Sequence, residues 1–277
     1  MCGRVRIRAT KKELEDIFEV DVEEEFPARY NLAPSETMPV ILLEGERRVL
    51  RSMRWGFPGE KSLVINARSE SVARRPAFSE SFRYRRSLVP VDAFYEWRRE
   101  GKTRQPFSIE MLDGQAFAIA AIWESATAGA HVCVLTTESN DLVAAIHDRM
   151  PVIVARNDYA RWLGPASDPD GLKELLRPFP VDRMKMYPVN PALNKSGYDA
   201  PDCAEPWESN LEQTPTCNRG YSDCYTECVG LFVSSKRRGG RARLNAPDSK
   251  SGVPVRVPGV RIPPSPPHSF FSSNGSW

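Results

Sequence analysis

The chain has 277 residues, of which 41% are hydrophobic and 27% charged, ordinary values for a soluble globular protein of one large domain or two small ones. Its 38 Lys and Arg against 36 Asp and Glu leave a formal net charge of +2, which excludes a histone-like polycation and makes any binding to nucleic acid depend on a local patch. No run reaches the roughly 18 apolar residues that would span a membrane, and no apolar stretch follows Met1-Cys2-Gly3-Arg4, so neither an anchor nor a signal peptide is expected and the cysteines are expected as free thiols.

In chain order, Thr10-Lys11-Lys12-Glu13 is a capping box ahead of Leu14, Ile17 and Phe18, whose spacing predicts one apolar helix face. Residues 40–43 and 48–53 read as strands around Glu44-Gly45-Glu46, and residues 107–112 and 116–123 as strands around Asp113-Gly114. Both pairs predict antiparallel hairpins. Residues 62–65, 87–91, 132–136 and 184–187 are further β-rich runs, whereas residues 140–148, 157–163 and 170–176 each open on a residue suited to a helix cap. Strand follows strand with helices interspersed and no regular βαβ alternation, which predicts an α+β domain built on a curved or barrel-like antiparallel sheet with a few flanking helices. Past residue 207 the texture changes: residues 208–277 hold 8 Pro, 7 Gly and 11 Ser, turn and linker chemistry that predicts a disordered tail after a domain of residues 2–207. The tail carries 9 basic and 5 acidic residues, a net of +4, against 29 and 31 in residues 1–207, a net of −2.

Cys2 is the first candidate for chemistry. With Met1 trimmed, as is usual ahead of a small residue, Cys2 carries a free α-amine and a thiol on adjacent carbons. Those groups titrate near about 8 and about 8.5 in model peptides, so modest tuning predicts a neutral amine and a thiolate at physiological pH. The amine can attack an aldehyde to give a Schiff base, and the thiol can then close on the imine carbon as a five-membered thiazolidine. Taken alone, the dipeptide reads more readily as an incidental cysteine. Glu96 lies in Ala93-Phe94-Tyr95-Glu96-Trp97, where desolvation would raise its pKa toward a range useful for proton transfer, although period 2 also lets it face solvent from an edge strand.

His147 closes the helix capped by Asn140, with Leu142, Val143 and Ile146 as its buried face and Pro151 as its stop. Alone it reads more readily as a structural histidine at the rim of a core than as a catalyst. His131 and His268 have no comparable setting. Asn66 directly follows an apolar run, where it orients another group or simply makes a turn. Arg4, Arg6, Arg8, Arg54, Arg68, Arg74, Arg75, Arg83, Arg85 and Arg86 interleave with Trp55, Phe57, Phe78, Phe82 and Tyr84. That is the composition of a single-strand groove, in which cations follow phosphates and rings stack on bases, or of solvated faces on different sides of the fold. Cys217, Cys224 and Cys228 lack the paired spacing and nearby His of a zinc site, residues 236–243 form a basic glycine-containing run, and no Walker loop, GxGxxG, HExxH or GxSxG occurs. Neither a metal nor a cofactor is expected.

Met1-Cys2-Gly3-Arg4, Tyr30-Asn31-Leu32-Ala33-Pro34, Arg54-Trp55-Gly56-Phe57, Ile65-Asn66-Ala67-Arg68, Val89-Pro90 with Phe94-Tyr95-Glu96-Trp97, and Thr136-Thr137 with His147-Asp148-Arg149-Met150-Pro151 together resemble, in order and spacing, the SOS-response-associated peptidase (SRAP) family. The resemblance covers about residues 2–207. It implies a DNA-damage protein that binds single-stranded DNA and crosslinks its N-terminal cysteine to the aldehyde of an abasic site as a thiazolidine, shielding the lesion. It implies that Cys2 forms the ring, Asn66 holds its α-amine, Glu96 moves protons, and His147 assists at the deoxyribose. Arg4, Arg68, Trp55 and Thr136 are the implied DNA contacts. A monomer is implied, working on single strands with abasic sites, without membrane or small-molecule cofactor, in a bacterial cytoplasm at the nucleoid or in a eukaryotic nucleus. The connection between Trp55-Gly56-Phe57 and Ile65-Asn66 is shorter than in many members, and the tail matches nothing in the family. Two other activities stay open: a thiol peptidase whose N-terminal nucleophile removes Met1 or a propeptide, and a non-covalent reader of single strands.

Overall fold

The computed structural model describes residues 2–127, 129–165, 169–195 and 197–207; the tail expected to be disordered, with its cysteines and its basic run, lies outside the described residues. The chain runs through β1 (Val5–Ile7), α1 (Lys11–Phe18), β2 (Val20–Asp21), β3 (Arg29–Leu32), β4 (Thr37–Glu44) and β5 (Arg47–Trp55). It continues with β6 (Asn66–Arg68), α2 (Ser69–Val72), α3 (Pro76–Tyr84), β7 (Arg86–Val91), β8 (Ala93–Glu100) and β9 (Thr103–Met111). Then come β10 (Phe117–Ala126), β11 (Gly129–Glu138), α4 (Asp141–Ala144), β12 (Arg149–Pro151), β13 (Ile153–Val154), α5 (Tyr159–Leu163), α6 (Pro169–Lys173) and β14 (Met184–Pro188). The capping box forms as the sequence dictates. Thr10 Oγ1 accepts from the Glu13 N–H, and the Glu13 carboxylate accepts from the Thr10 N–H at 2.7 Å.

β5, β4, β7, β10 and β11 pair antiparallel in that order, and β11 returns to β5 through a parallel pairing of His131 with Arg54 and Val132 with Trp55. This closes a five-stranded barrel. Strands that alternate in direction cannot close an odd-numbered ring, so one pair has to be parallel. β14, β9, β8, β1 and β3 form a second, antiparallel sheet. The architecture is the expected one of a curved, barrel-like β core with a few helices.

Three local expectations are corrected. Glu44-Gly45-Glu46 does join β4 to β5, with Gly45 at φ 63°. Asp113-Gly114 also turns the chain, with Gly114 at φ 72° and Asp113 Oδ1 accepting from the Gln115 N–H at 3.0 Å. It makes no hairpin, however, because it carries the chain from β9 in one sheet to β10 in the other. Turn chemistry is local, whereas the neighbour a strand accepts is set by burial of its faces. β9 pairs instead with β8, across a two-residue loop in which Gly101 takes φ 61°. Of residues 62–65, Val64 makes an isolated bridge to Phe57, and the strand begins at Asn66. Finally, α4 stops at Ala144 and residues 149–151 pair with β11, which puts His147 in a turn between helix and strand.

Four of the barrel strands, β4, β7, β10 and β11, bury both faces over most of their length and read as apolar runs, whereas β5 alternates, with Val49, Met53 and Trp55 buried between exposed or half-buried neighbours. Ile119, Ala121, Val132 and Val134 pack with Val5, Phe94 and Ile109 of the second sheet. Their neighbours Ala118, Ala120, Cys133 and Leu135 pack with Phe18, Phe82 and Trp162 from α1, α3 and α5. Charged side chains are buried as well, Arg6, Arg86, Asp92, Glu96 and Glu110 among them. The Arg6 guanidinium on β1 is paired with Glu110 on β9, which also takes Lys185 Nζ from β14 at 3.2 Å. Removing one partner of a buried pair strands the other in a medium that solvates it poorly. Glu110→Ala should therefore lower the unfolding free energy by about 3–5 kcal/mol, read by urea denaturation. A loss below about 1 kcal/mol, the value of a surface pair, would show that water already screens the group.

Candidate active site

β1 lies between β3 and β8, with Val5 opposite Phe94 and Arg6 opposite Ala93. The Tyr95 N–H donates to the Arg4 carbonyl at 3.0 Å, so one hydrogen bond extends the pairing past the end of the strand, toward Gly3 and Cys2. Successive strand residues face opposite ways. Phe94 and Glu96 therefore share the face turned to the core that contains Cys2, whereas Tyr95 and Trp97 pack on the other side with Tyr187 and Val189. Glu96 is only 2% exposed. Of its aromatic neighbours in sequence, Phe94 shares this buried face, whereas Tyr95 and Trp97 lie on the other.

Asn66 reaches Cys2 by a different route. The chain leaves β5 at Gly56, which takes φ 116° in a place where a Cβ would come within 2.9 Å of Leu63 Cβ, and the Trp55 indole N–H donates to the Ile65 carbonyl at 3.1 Å. β6 then runs parallel to β11, with Asn66 beside Val134 and Arg68 beside Thr136. Asn66 Nδ2 donates to the Cys2 carbonyl at 2.8 Å, and Asn66 Oδ1 is buried without a hydrogen-bond partner among the described residues.

His147 stands in the turn between α4 and β12. Its backbone N–H donates to the Val143 carbonyl at 2.9 Å, and its Nδ1 accepts from the Arg149 N–H at 3.0 Å, with Asp148 Oδ1 at 3.1 Å. The Arg149 carbonyl lies 3.2 Å from the same nitrogen; in the tautomer in which Nδ1 accepts from the Arg149 N–H, Nε2 carries the proton of the neutral ring. Cys2, Asn66, Glu96 and His147 thus converge from four separate segments. Burial lifts Glu96 above the ordinary carboxylate range, and the chain's amino terminus and His147 pull it back by less than burial lifts it. Burial first, and the Glu96 charge second, push the Cys2 thiol far up. The thiolate expected at physiological pH is therefore corrected to a thiol: no modest tuning offsets the loss of water around the sulfur.

The expected DNA contacts divide. Arg4 is half-buried and donates from Nη1 to Asn31 Oδ1 at 3.1 Å; Asn31 Nδ2 in turn donates to the Tyr198 carbonyl at 2.7 Å. Arg4 lines an open cleft of about 740 Å³ together with Trp97, Lys102, Arg104 and Asn194. Arg68 is exposed at the end of β6. Trp55 and Thr136, also expected as contacts, are both 0% exposed, on β5 and β11. Arg6 and Arg86 are likewise interior, the latter donating to the carbonyls of Phe82, Arg83 and Trp162. Trp97, Lys102 and Arg104 escape the sequence reading because only the β8–β9 hairpin gathers them beside Arg4. Asn31 belongs to a recognisable motif, yet nothing in the sequence ties it to Arg4. Among the described residues no group of three His, Cys, Asp or Glu side chains could hold a metal ion, and no helix is long and apolar enough to cross a membrane.

A family model described as SOS response associated peptidase (SRAP) matches residues 1–196. The chain is 33% identical over 222 residues to the abasic site processing protein YoqW of Bacillus subtilis, covering 74% of this chain and 99% of that one. Over 208 residues it is 27% identical to the abasic site processing protein YedK of Escherichia coli, covering 70% and 94% of the two chains. Over 225 residues it is 27% identical to HMCES of Xenopus tropicalis, covering 65% and 66%. A solved structure of a protein from Bacteroides thetaiotaomicron shares the fold with a TM-score of 0.65 at 23% identity, over 75% of this chain and 100% of that one.

A carboxyl whose pKa is higher folded than unfolded weakens the fold as pH rises through the interval between the two values. Glu96 is such a group. Glu96→Gln should therefore be more stable than the wild type at about pH 7 and should lose that advantage near about pH 4, where the carboxyl is largely protonated in both states. Urea denaturation at the two pH values measures this. Equal or lower stability of the variant at neutral pH would mean that the amino terminus and His147 outweigh burial.

Proposed function

The chain belongs to the SOS response associated peptidase (SRAP) family, and on that footing we propose that it processes abasic sites in single-stranded DNA by crosslinking Cys2 to the aldehyde of the lesion. The observation that carries this reading is the meeting of Cys2, Asn66, Glu96 and His147 at the amino end of the chain. Once Met1 is removed, the α-amine belongs to Cys2. Asn66 already holds the Cys2 carbonyl through Nδ2, and its unpartnered Oδ1 is the acceptor that an amine N–H needs.

The chemistry follows in balanced steps. As the sugar opens, His147 gives its Nε2 proton to the deoxyribose ring oxygen, which becomes the C4′ hydroxyl, and the proton of the C1′ hydroxyl passes by way of Glu96 back to Nε2, which yields the aldehyde. The amine lone pair attacks C1′; Glu96 carries the two amine protons in turn to the carbonyl oxygen, the first giving the carbinolamine and the second releasing its hydroxyl as water to leave the imine. The Cys2 sulfur then bonds to the imine carbon, and the thiol proton passes by way of Glu96 to nitrogen, now a secondary amine in the thiazolidine. One water is lost overall. A carboxyl raised by burial suits a group that must both take and give a proton near neutral pH. A sulfur held as thiol suits an order in which the amine reacts first. Along the cleft, Arg4, Lys102 and Arg104 would follow phosphates while Trp97 offers a ring to a base, with Arg68 as a further phosphate contact.

Intact mass after mixing with an abasic oligonucleotide tests the reading on the full chain and on one ending at residue 207. Both should gain the oligonucleotide less one water. Cys2→Ala should bind an intact strand but gain no mass, and Cys2→Ser should give an adduct only when borohydride traps its imine, since it lacks the sulfur that closes the ring. A stable adduct in Cys2→Ala would sink the proposal. A processed peptide without adduct would favour the thiol peptidase, and no change would favour the non-covalent reader. A second measurement concerns the arginines: Arg4→Ala and Arg68→Ala should each flatten the dependence of log affinity on log salt by about 0.7 for single strands. An unchanged slope rules out a phosphate contact for the residue replaced.

A further inference from the structure

Glu70 lies on α2, two residues after Arg68, in no part of the chemistry above. β6 and β12 both pair with β11 at Thr136, which faces Arg68 on one edge and Pro151 on the other. The Arg149 side chain, 14% exposed, crosses between those edges. Its Nη1 pairs with Glu70 Oε1; its Nη2 donates to Glu70 Oε2 at 3.0 Å and to the Thr136 carbonyl at 2.6 Å. The same residue's backbone N–H donates to His147 Nδ1 at 3.0 Å. One residue therefore grips the Asn66 side of the site with its guanidinium and the His147 ring with its amide. A bidentate fork has two fixed directions, so it restricts where the Arg149 backbone can stand. The hydrogen-bonded state of the Glu70 carboxylate agrees with this, since the Arg149 hydrogen bonds hold it below the usual carboxylate range.

We infer that Glu70 is a positioning residue: through Arg149 it holds the backbone N–H that keeps neutral His147 in the Nε2–H tautomer, and it straps the His147 turn to the strand that carries Asn66. This rests on the reading in which His147 acts at the sugar. Without Glu70, the Arg149 guanidinium keeps only the Thr136 carbonyl, and the pairing of β12 with β11 alone holds the turn, so its N–H is held less firmly against Nδ1. Asp148 Oδ1 and the Arg149 carbonyl, at 3.1 and 3.2 Å from Nδ1, then favour a proton on that nitrogen. A ring with its proton on Nδ1 presents a bare acceptor at Nε2 and cannot donate to the sugar oxygen.

The test is ¹⁵N NMR of the His147 ring together with single-turnover crosslinking and intact-strand affinity, for wild type, Glu70→Gln, Glu70→Asp and His147→Ala. In Glu70→Gln the ring signals should move from one Nε2–H form to a mixture. Crosslinking should slow by about tenfold, part of the roughly 10²–10⁴ that a whole general acid or base supplies, at unchanged affinity. Glu70→Asp keeps the carboxylate and should recover most of the rate and the wild-type ring signals. Ring signals that stay at their wild-type positions in Glu70→Gln overturn the inference whatever the rate does, and so does a shifted tautomer at an undiminished rate while His147→Ala is slow. If instead His147→Ala crosslinks as fast as the wild type, the role of His147 fails, and a shifted tautomer in Glu70→Gln still supports the positional link.

Discussion

The antiparallel pairing of β1 with β8 is the constraint on which the site depends. A strand of three residues has few hydrogen bonds with which to hold its register, and a slip of one residue would turn every side chain to the opposite face. Such a slip would displace Cys2, just ahead of the strand, relative to Glu96. What resists it is charge. Arg6 is buried in the middle of β1 and matched to Glu110 two strands away, and a guanidinium cannot be moved onto the apolar face without losing that partner. The ionic group that looks like an interruption of the core therefore fixes the reacting end of the chain.

The barrel contributes a frame rather than reacting groups. β11 lies at its centre of use: β6 runs along one edge with Asn66, and β12 runs along the other next to His147. Two residues that never meet in sequence are set at opposite sides of a single strand whose own side chains are packed on both faces. Such packing tolerates little displacement, which keeps an amide and an imidazole at fixed separation without a direct bond between them.

Burial sets the charge states of the site. A carboxylate and a thiol in a well-solvated groove would keep their ordinary proton affinities, whereas both are raised once the sheet and barrel close over them. The fold tolerates an ionisable group in an apolar place, at a cost to its stability near neutral pH. Away from the pocket the electrostatics are ordinary: Arg47 pairs with Asp21 and Arg51 with Glu44 at the surface, contacts of small energetic weight.

Much of the fold was legible where a signal is local. The Thr10 capping box, the Gly45 hairpin and the β-rich runs at residues 87–91, 132–136 and 184–187 all appear in place, because capping, turn conformation and strand propensity act through the backbone of a few adjacent residues. Asp113-Gly114 turns the chain equally well and still makes no hairpin, since the turn has no say in which sheet has room for the next strand. The same division runs through the site. The sequence by itself determined the chemical inventory: one aminothiol, a carboxyl in an aromatic run, an imidazole after an Asn-capped helix, and an amide after an apolar run. Only the tertiary structure decided that these four converge, that the sulfur stays protonated, that Trp55 and Thr136 are interior while Trp97 lines the cleft, and that Glu70 is tied to the His147 turn. Those outcomes depend on solvent exclusion and on pairs as distant as Arg6 with Glu110, 104 residues apart, and neither is encoded in any short stretch of chain.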